Sequence, residues 1–195
     1  MRQALINRET KETVISANVL FEGIGGFDGT SGIGFFDHML NSFCVHSDFD
    51  IFLSTKGDLH VDSHHTIEDI GIVLGQAFKK ALELGGKTGL TRFGNSFIPM
   101  DEALAQVTVD ISNRPFLVFN VPLNTDRIGT FDVCMVKEFF YAFCMNSGCT
   151  LHINLVYGEN AHHCVEAVFK AFAHALKQAV AIVDGDKVLS AKGSL

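Results

Sequence analysis

The sequence predicts an α+β sandwich of two fused, similar halves, with helices packed on sheets. Two observations carry that prediction. His64-His65-Thr66-Ile67-Glu68 recurs as His162-His163-Cys164-Val165-Glu166, an offset of 98 from 64 to 162, and self-similarity at a fixed spacing marks a duplicated unit. The register continues without gaps, since Ala77 matches Ala175, Lys79 matches Lys177 and Ala81 matches Ala179. Each half also alternates β-rich runs with helical runs of about 10–20 residues, the pattern of sheets covered by helices. The halves are set at residues 1–94 and 95–195.

In the first half, Thr13–Phe21 is β-rich. Gly32–Gly34 leads into an amphipathic helical segment from Phe35 to about Val45. Asp48–Ser54 sets Asp48 and Asp50 against Phe49 and Ile51, the alternation of a half-buried strand. Ser63 is placed to cap a long helix that ends near Leu84, with Gly85-Gly86 as its stop. The second half repeats the plan. Leu104–Ile111 and Phe116–Val121 read as strands around a turn at Ser112–Pro115. A helix over Asp132–Asn146, a strand over Thr150–Tyr157 and a helix from Asn160 to Val183 complete it.

Composition narrows the function classes. Of 195 residues 47% are apolar, with 18 Phe and no Trp, and 19% are charged, against about 25% for an average soluble chain. A mean hydropathy of +0.24 agrees with surface hidden in subunit contacts. A net charge of −7 argues against nucleic-acid binding. The segment Met1–Thr13 is charged, so no signal peptide is expected. The charge-poor stretch Phe139–Gly158 is broken by Asn146, Ser147, Thr150 and His152, so no membrane span is expected either. Cys44, Cys134, Cys144, Cys149 and Cys164 lack CxxC spacing and read as reduced, mostly buried thiols of a cytoplasmic protein.

The chemistry lies in the doubled His-His-x-x-Glu. On a helix the first His and the Glu stand at i and i+4, about 40° apart in projection, while the second His is rotated by about 100°. One cation can therefore take His64 with Glu68, or His162 with Glu166, while His65 and His163 are aimed elsewhere. Two such motifs imply two metal positions, each drawing ligands from more than one segment or chain. His38 and Glu138, upstream of the two His pairs, bring the candidate ligands to five His and three Glu. Nitrogen with carboxylate and no thiolate suits Mn²⁺, Fe²⁺ or Zn²⁺. His152 reads as a strand residue, His60 and His174 as surface or edge positions, and His46 as a possible pocket lining.

The series Phe35-Phe36-Asp37-His38-Met39-Leu40, Asp62-Ser63-His64-His65-Thr66-Ile67-Glu68-Asp69, Ser112-Asn113-Arg114-Pro115 and Asn160-Ala161-His162-His163 resembles the imidazoleglycerol-phosphate dehydratase family over essentially the whole chain. Thr10-Lys11-Glu12-Thr13 and Lys192-Gly193-Ser194-Leu195 extend the resemblance to both ends. It implies a helical layer between two mainly antiparallel sheets, and a lyase of histidine biosynthesis that converts imidazole glycerol phosphate to imidazole acetol phosphate. It further implies two Mn²⁺ per active site and a homo-oligomer of 24 subunits built from trimers, with sites between subunits. Carried over by position, one Mn²⁺ takes His38, His65, His162 and Glu166. The other takes His64, Glu68, His163 and Glu138, where many relatives carry His. The phosphate falls to Arg92, Arg114, Lys170, Ser190 and Lys192. Ala191 before Lys192 stands where a hydroxyl residue is common.

Among the carboxylates, Glu12 is the leading proton carrier, with Glu68 and Glu166 constrained as ligands. Asp101 and Glu102 are the runners-up, and Asp37 and Asp69 flank ligands, with Asp69 most simply a solvated helix-end charge. Two other readings remain open to the residues alone: a dinuclear phosphate-ester hydrolase, and a ferritin-like metal-storage shell.

Overall fold

Two four-stranded sheets enclose four helices. The computed structural model describes residues 1–86, 89–183 and 188–191. The first half runs β1 (Gln3–Glu9), β2 (Thr13–Leu20), β3 (Phe27–Thr30), α1 (Gly34–Ser47), β4 (Asp50–Gly57) and α2 (His64–Gly85). The second runs β5 (Phe93–Met100), β6 (Ala103–Asp110), β7 (Phe116–Asn120), a small hairpin of β8 (Arg127–Ile128) and β9 (Phe131–Asp132), α3 (Met135–Ser147), β10 (Thr150–Tyr157) and α4 (Ala161–Val180). The sheet orders are β1-β2-β4-β3 and β5-β6-β10-β7. In each, the last-named strand is parallel to its neighbour and the other pairings are antiparallel. The internal repeat is thus a repeat of topology, and the fold is the duplicated α+β sandwich expected.

The strands follow their side-chain alternation. Ile15, Ala17 and Val19 of β2 and Ala103, Ala105, Val107 and Val109 of β6 point inward and are buried, as a period of two requires. On α4, Ala167, Ala171, Ala175 and Ala179 recur every fourth residue and are fully buried. This smooth ridge lies against β5 and β6. At Gly94 a Cβ would stand 1.8 Å from the Ala175 carbonyl oxygen, so only glycine permits the approach.

The helices interlock the halves. α2 lies on β1 and β2 and, on its other side, against α3; α4 lies on β5 and β6 and against α1. Each long helix is therefore covered by the short helix of the other half. Phe36, Phe139, Phe140, Phe143, Phe169 and Phe172 form the centre, with ring centroids 5.1 Å apart for Phe36–Phe139 and 5.0 Å for Phe140–Phe169. Edge-to-face and offset aromatic pairs of this kind add about 0.5–1.5 kcal/mol each beyond area burial. The core runs continuously through both halves, and the boundary expected after residue 94 falls inside β5.

Several expectations need correction. Each half opens with an edge strand that the alternation does not mark, β1 before β2 and β5 before β6, because their residues are largely polar or broken. β3 and the β8–β9 hairpin are further strands beyond those expected. β5 carries Gly94 and Pro99, and an edge strand accommodates a proline because one row of its N–H groups needs no partner. Ser63 does not cap α2 through its side chain. Instead Asp62 Oδ1 accepts from the His64 backbone N–H at 2.8 Å, and Asn160 Oδ1 does the same for His162 at 2.9 Å. α4 stops at Val180, where Ala181 turns extended, and Ile182 bridges to Leu90. α3 begins at Met135, since Phe131-Asp132 is spent on β9. Four of the five cysteines are buried and Cys134 is exposed.

Gly71 and Gly75 of α2 face α3. A Cβ on Gly75 would lie 2.6 Å from the Phe143 carbonyl oxygen, and one on Gly71 2.8 Å from that of Phe139. The replacement Gly75→Leu is expected to lower stability by about 1–3 kcal/mol through overpacking, read as a lower urea midpoint. An unchanged midpoint would show that the helices do not meet there.

Candidate active site and metal centre

α1 carries His38 toward the start of α4. There His162 and Glu166, one turn apart, converge on it. His162 Nε2 lies 3.2 Å and His38 Nε2 3.6 Å from Glu166 Oε2, and the two imidazole centroids are 5.6 Å apart. Candidate ligand atoms of all three residues fall within 4.8 Å of one another. Among the described residues, this is the one group of three or more His, Cys, Asp or Glu with that geometry. Two neutral imidazoles and a carboxylate suit a borderline divalent cation. The Glu166 side chain is 10% exposed. Burial pushes its carboxyl up, but the Lys170 ammonium 2.7 Å from Oε1, with His38 and His162 beside it, outweighs burial and holds it below the ordinary carboxylate value.

The second histidine of each pair is turned away, as helix geometry requires. His163 Nδ1 lies 2.7 Å from Glu102 Oε2, in the turn between β5 and β6. His65 Nδ1 lies 2.9 Å from Asp58 Oδ2, just after β4. A carboxylate behind Nδ1 orients each ring and turns Nε2 to the other side; at His163 that nitrogen lies 3.6 Å from Asp101 Oδ2. Both rings are pushed above the ordinary histidine value, His163 chiefly by Glu102 and His65 chiefly by Asp58 with Glu12 adding its charge. The backbone N–H groups of Asn160 and Glu159 also reach Glu102 Oε1, at 2.7 and 3.3 Å. Asn160, His163 and these turn contacts hold its carboxyl down at about 2.

The counterpart of the triad is looser. His64 Nε2 and Glu68 Oε2 are 3.8 Å apart at the start of α2. Glu138 stands half-buried in the first turn of α3, which lies along α2 as α1 lies along α4. These three do not close to the triad's spacing within one chain, nor does His65 join His38, or His163 join His64. The triad therefore stands one imidazole, His65, short of the set assigned to it by resemblance, while of the other set only His64 and Glu68 are brought together.

The other candidates fall in three places. Arg92 forks Asp110, Nε to Oδ1 at 2.7 Å and Nη2 to Oδ2 at 3.2 Å, while Arg114 Nη2 lies 3.6 Å from the same carboxylate. The Leu189 carbonyl accepts from Arg92, which brings the segment holding Ser190 beside the two arginines. Lys170 pairs with Glu166, and Lys192 lies outside the described residues. Glu12 is exposed in the β1–β2 turn, where its N–H donates to Thr10 Oγ1 at 3.1 Å. Asp69 corrects the expectation of a solvated charge. It is buried, accepts from Arg8 Nε at 2.9 Å and from Thr13 Oγ1 at 2.5 Å, and so ties α2 to β1 and β2. Asp37 takes Thr30 and Ser31 and shapes the entry to α1. Asp58 escaped the sequence reading because nothing local marks it; only the fold carries it to His65.

With this geometry in place, comparison with known proteins is decisive. The family model for imidazoleglycerol-phosphate dehydratase matches residues 31–176. The chain belongs to the imidazoleglycerol-phosphate dehydratase family. It is 50% identical over 197 residues to the imidazoleglycerol-phosphate dehydratase of Ruegeria pomeroyi, covering all of both chains. It is 51% identical over 193 residues to that of Clostridium botulinum, covering 98% of this chain and 97% of the relative. The crystal structure of the Staphylococcus aureus dehydratase superposes with a TM-score of 0.83 at 39% identity, covering 93% of this chain and 99% of that one. The Pyrococcus furiosus structure, in complex with (S)-C348, gives 0.82 at 39%, covering 97% and 100%. Membership makes the protein a hydro-lyase, not a phosphate-ester hydrolase or a storage shell. Among the described residues no helix is long and apolar enough to cross a membrane.

The Glu102–His163 pair yields a test in cation-free protein. Glu102 adds stability above its ordinary value of 4.5, lost as pH falls through about 2. Protonated His163 adds stability below its ordinary value of 6.5, lost as pH rises through its raised one. The His163 ring is therefore expected to titrate above 6.5 by NMR, and Glu102→Gln to bring the midpoint down. An unmoved midpoint would show that Glu102 does not orient the ring.

Proposed function

We propose that the protein removes water from imidazole glycerol phosphate to give imidazole acetol phosphate, a step of histidine biosynthesis in the cytoplasm, at a site holding two Mn²⁺. The observation that carries this reading is the convergence of His38, His162 and Glu166 in a chain of this family, with His65 and His163 held facing away by carboxylates. One cation would be held by His38, His162 and Glu166 and by His65 of another copy. The other would be held by His64, Glu68 and Glu138 and by His163 of another copy. The apolar side chains Leu5 and Phe52 on the outer face of the first sheet and Phe97 and Phe116 on the second, between 51% and 61% exposed, agree with assembly. The proposed homo-oligomer is one of 24 subunits built from trimers.

The substrate proton to be removed is not acidified by a carbonyl, so the substrate's own ring must accept the electron pair. Bound Mn²⁺ supplies Lewis acidity that makes the imidazole a better electron sink. The protein's residues do the rest. The exposed Arg114 offers bidentate donors to the phosphate dianion, Arg92, forked onto Asp110 beside it, adds positive charge, and Ser190, Lys170 and Lys192 are further donors. Glu12, exposed on its turn and near enough to raise the pKa of His65, moves the proton. Glu68 and Glu166 supply negative charge to the cations and are not free to shuttle.

The variant Glu12→Gln is expected to lose about 10²-fold or more in turnover with unchanged metal content, and near-normal turnover would remove Glu12 from that role. For the shared site, His38→Ala and His65→Ala are each expected to abolish dehydration. Mixed oligomers of the two variants regain part of it, because some sites then combine intact residues from both chains. Failure of mixing to restore any activity would place all ligands of one cation in a single chain.

A further inference from the structure

The seam between α1 and α4 continues beyond the triad. Along α4, His162, Glu166, Lys170 and His174 recur every four residues and share one ridge; along α1, His38, Ser42 and His46 do the same. At the far end of this seam the His46 and His174 rings stand 5.3 Å apart, centre to centre, tilted by 55° and with no hydrogen bond between them. That is closer than His38 and His162 in the triad, at 5.6 Å. Two imidazoles bound tetrahedrally to one zinc, each at about 2.0–2.1 Å, place their ring centres roughly 5 Å apart.

The internal repeat supplies a comparison. The seam between α2 and α3 has Gln76 and Asn146 at the matching place, where Gln76 Nε2 donates to Asn146 Oδ1 at 3.2 Å. The fold thus puts a polar clip between helices here in both halves. In one the amides satisfy each other, while in the other two imidazoles face each other unbonded. His46 is half-buried and His174 exposed, so a cation can reach the pair from solvent. Burial, then the charges of His174 and Lys170, holds His46 below the ordinary histidine value, toward the neutral form that ligates.

We propose that His46 and His174 form a separate, nitrogen-only site for a divalent cation of the Zn²⁺, Cu²⁺ and Ni²⁺ type, with water completing its coordination. It joins α1 of the first half to α4 of the second. Mn²⁺, which prefers oxygen donors, is a poor occupant. No residue is shared with the triad, and the Lys170 ammonium, paired with Glu166, separates the two places.

The test titrates Zn²⁺ into whole protein already saturated with Mn²⁺, counting both metals after equilibrium dialysis. Expected are one Zn²⁺ per chain beyond the retained Mn²⁺ and a rise in melting temperature on adding it. In His174→Gln, an exposed change, Zn²⁺ affinity falls about tenfold or more, while Mn²⁺ content and dehydration rate stay as in the parent. His46→Gln loses Zn²⁺ in the same way. Equal Zn²⁺ binding by parent and His174→Gln overturns the proposal, as does Zn²⁺ uptake only in exchange for Mn²⁺.

Discussion

The constraint on which the centre of this molecule depends is the packing of α1 along α4. Neither half can assemble the triad alone, because His38 belongs to the first and His162 and Glu166 to the second. The same crossing buries the phenylalanine cluster, so the apolar energy that holds the halves together also sets the distance from His38 to Glu166. A change that shifts one helix against the other is felt as lost packing and as lost donor geometry together.

Around that crossing, each charged group fixes the next. Lys170 keeps Glu166 ionised in a place where burial alone would favour the acid. Glu102, anchored by backbone N–H groups at the start of α4, turns His163; Asp58 turns His65. The result is a pair of rings, His65 and His163, each oriented by an anion at Nδ1. Such pre-orientation matters because a ligand that must first find its rotamer gives up part of its affinity to conformational entropy.

What the sequence made legible was what local geometry dictates. The split of each His-His pair follows from helical rotation, and 2.7 Å from His163 to Glu102 beside 3.2 Å from His162 to Glu166 bears it out. The repeat was legible because the His-His-x-x-Glu residues survive at the same spacing in halves that otherwise diverge. The edge strands β1 and β5 were not, since they bury little on one side and carry polar, glycine or proline residues, whereas the apolar run of the edge strand β7 was. Asp69 beside Arg8 and Thr13, and Asp58 beside His65, were hidden for another reason. Their partners come from distant segments, and no periodicity announces a tertiary ion pair. Ser63 does hold the N-cap position of α2, but the side-chain bond comes from Asp62 one residue earlier, because both side chains are suited to the role.

Those two caps bear on how the pockets hold charge. Asp62 and Asn160 each bond the backbone N–H two residues on, at the first histidine of the pair, so both pairs sit at the positive end of a peptide-dipole array. Such an end disfavours positive charge, and at His65 and His163 the carboxylates Asp58 and Glu102 outweigh it and hold both rings above the ordinary histidine value. The glutamate one turn along, Glu68 or Glu166, brings the negative charge that offsets this end.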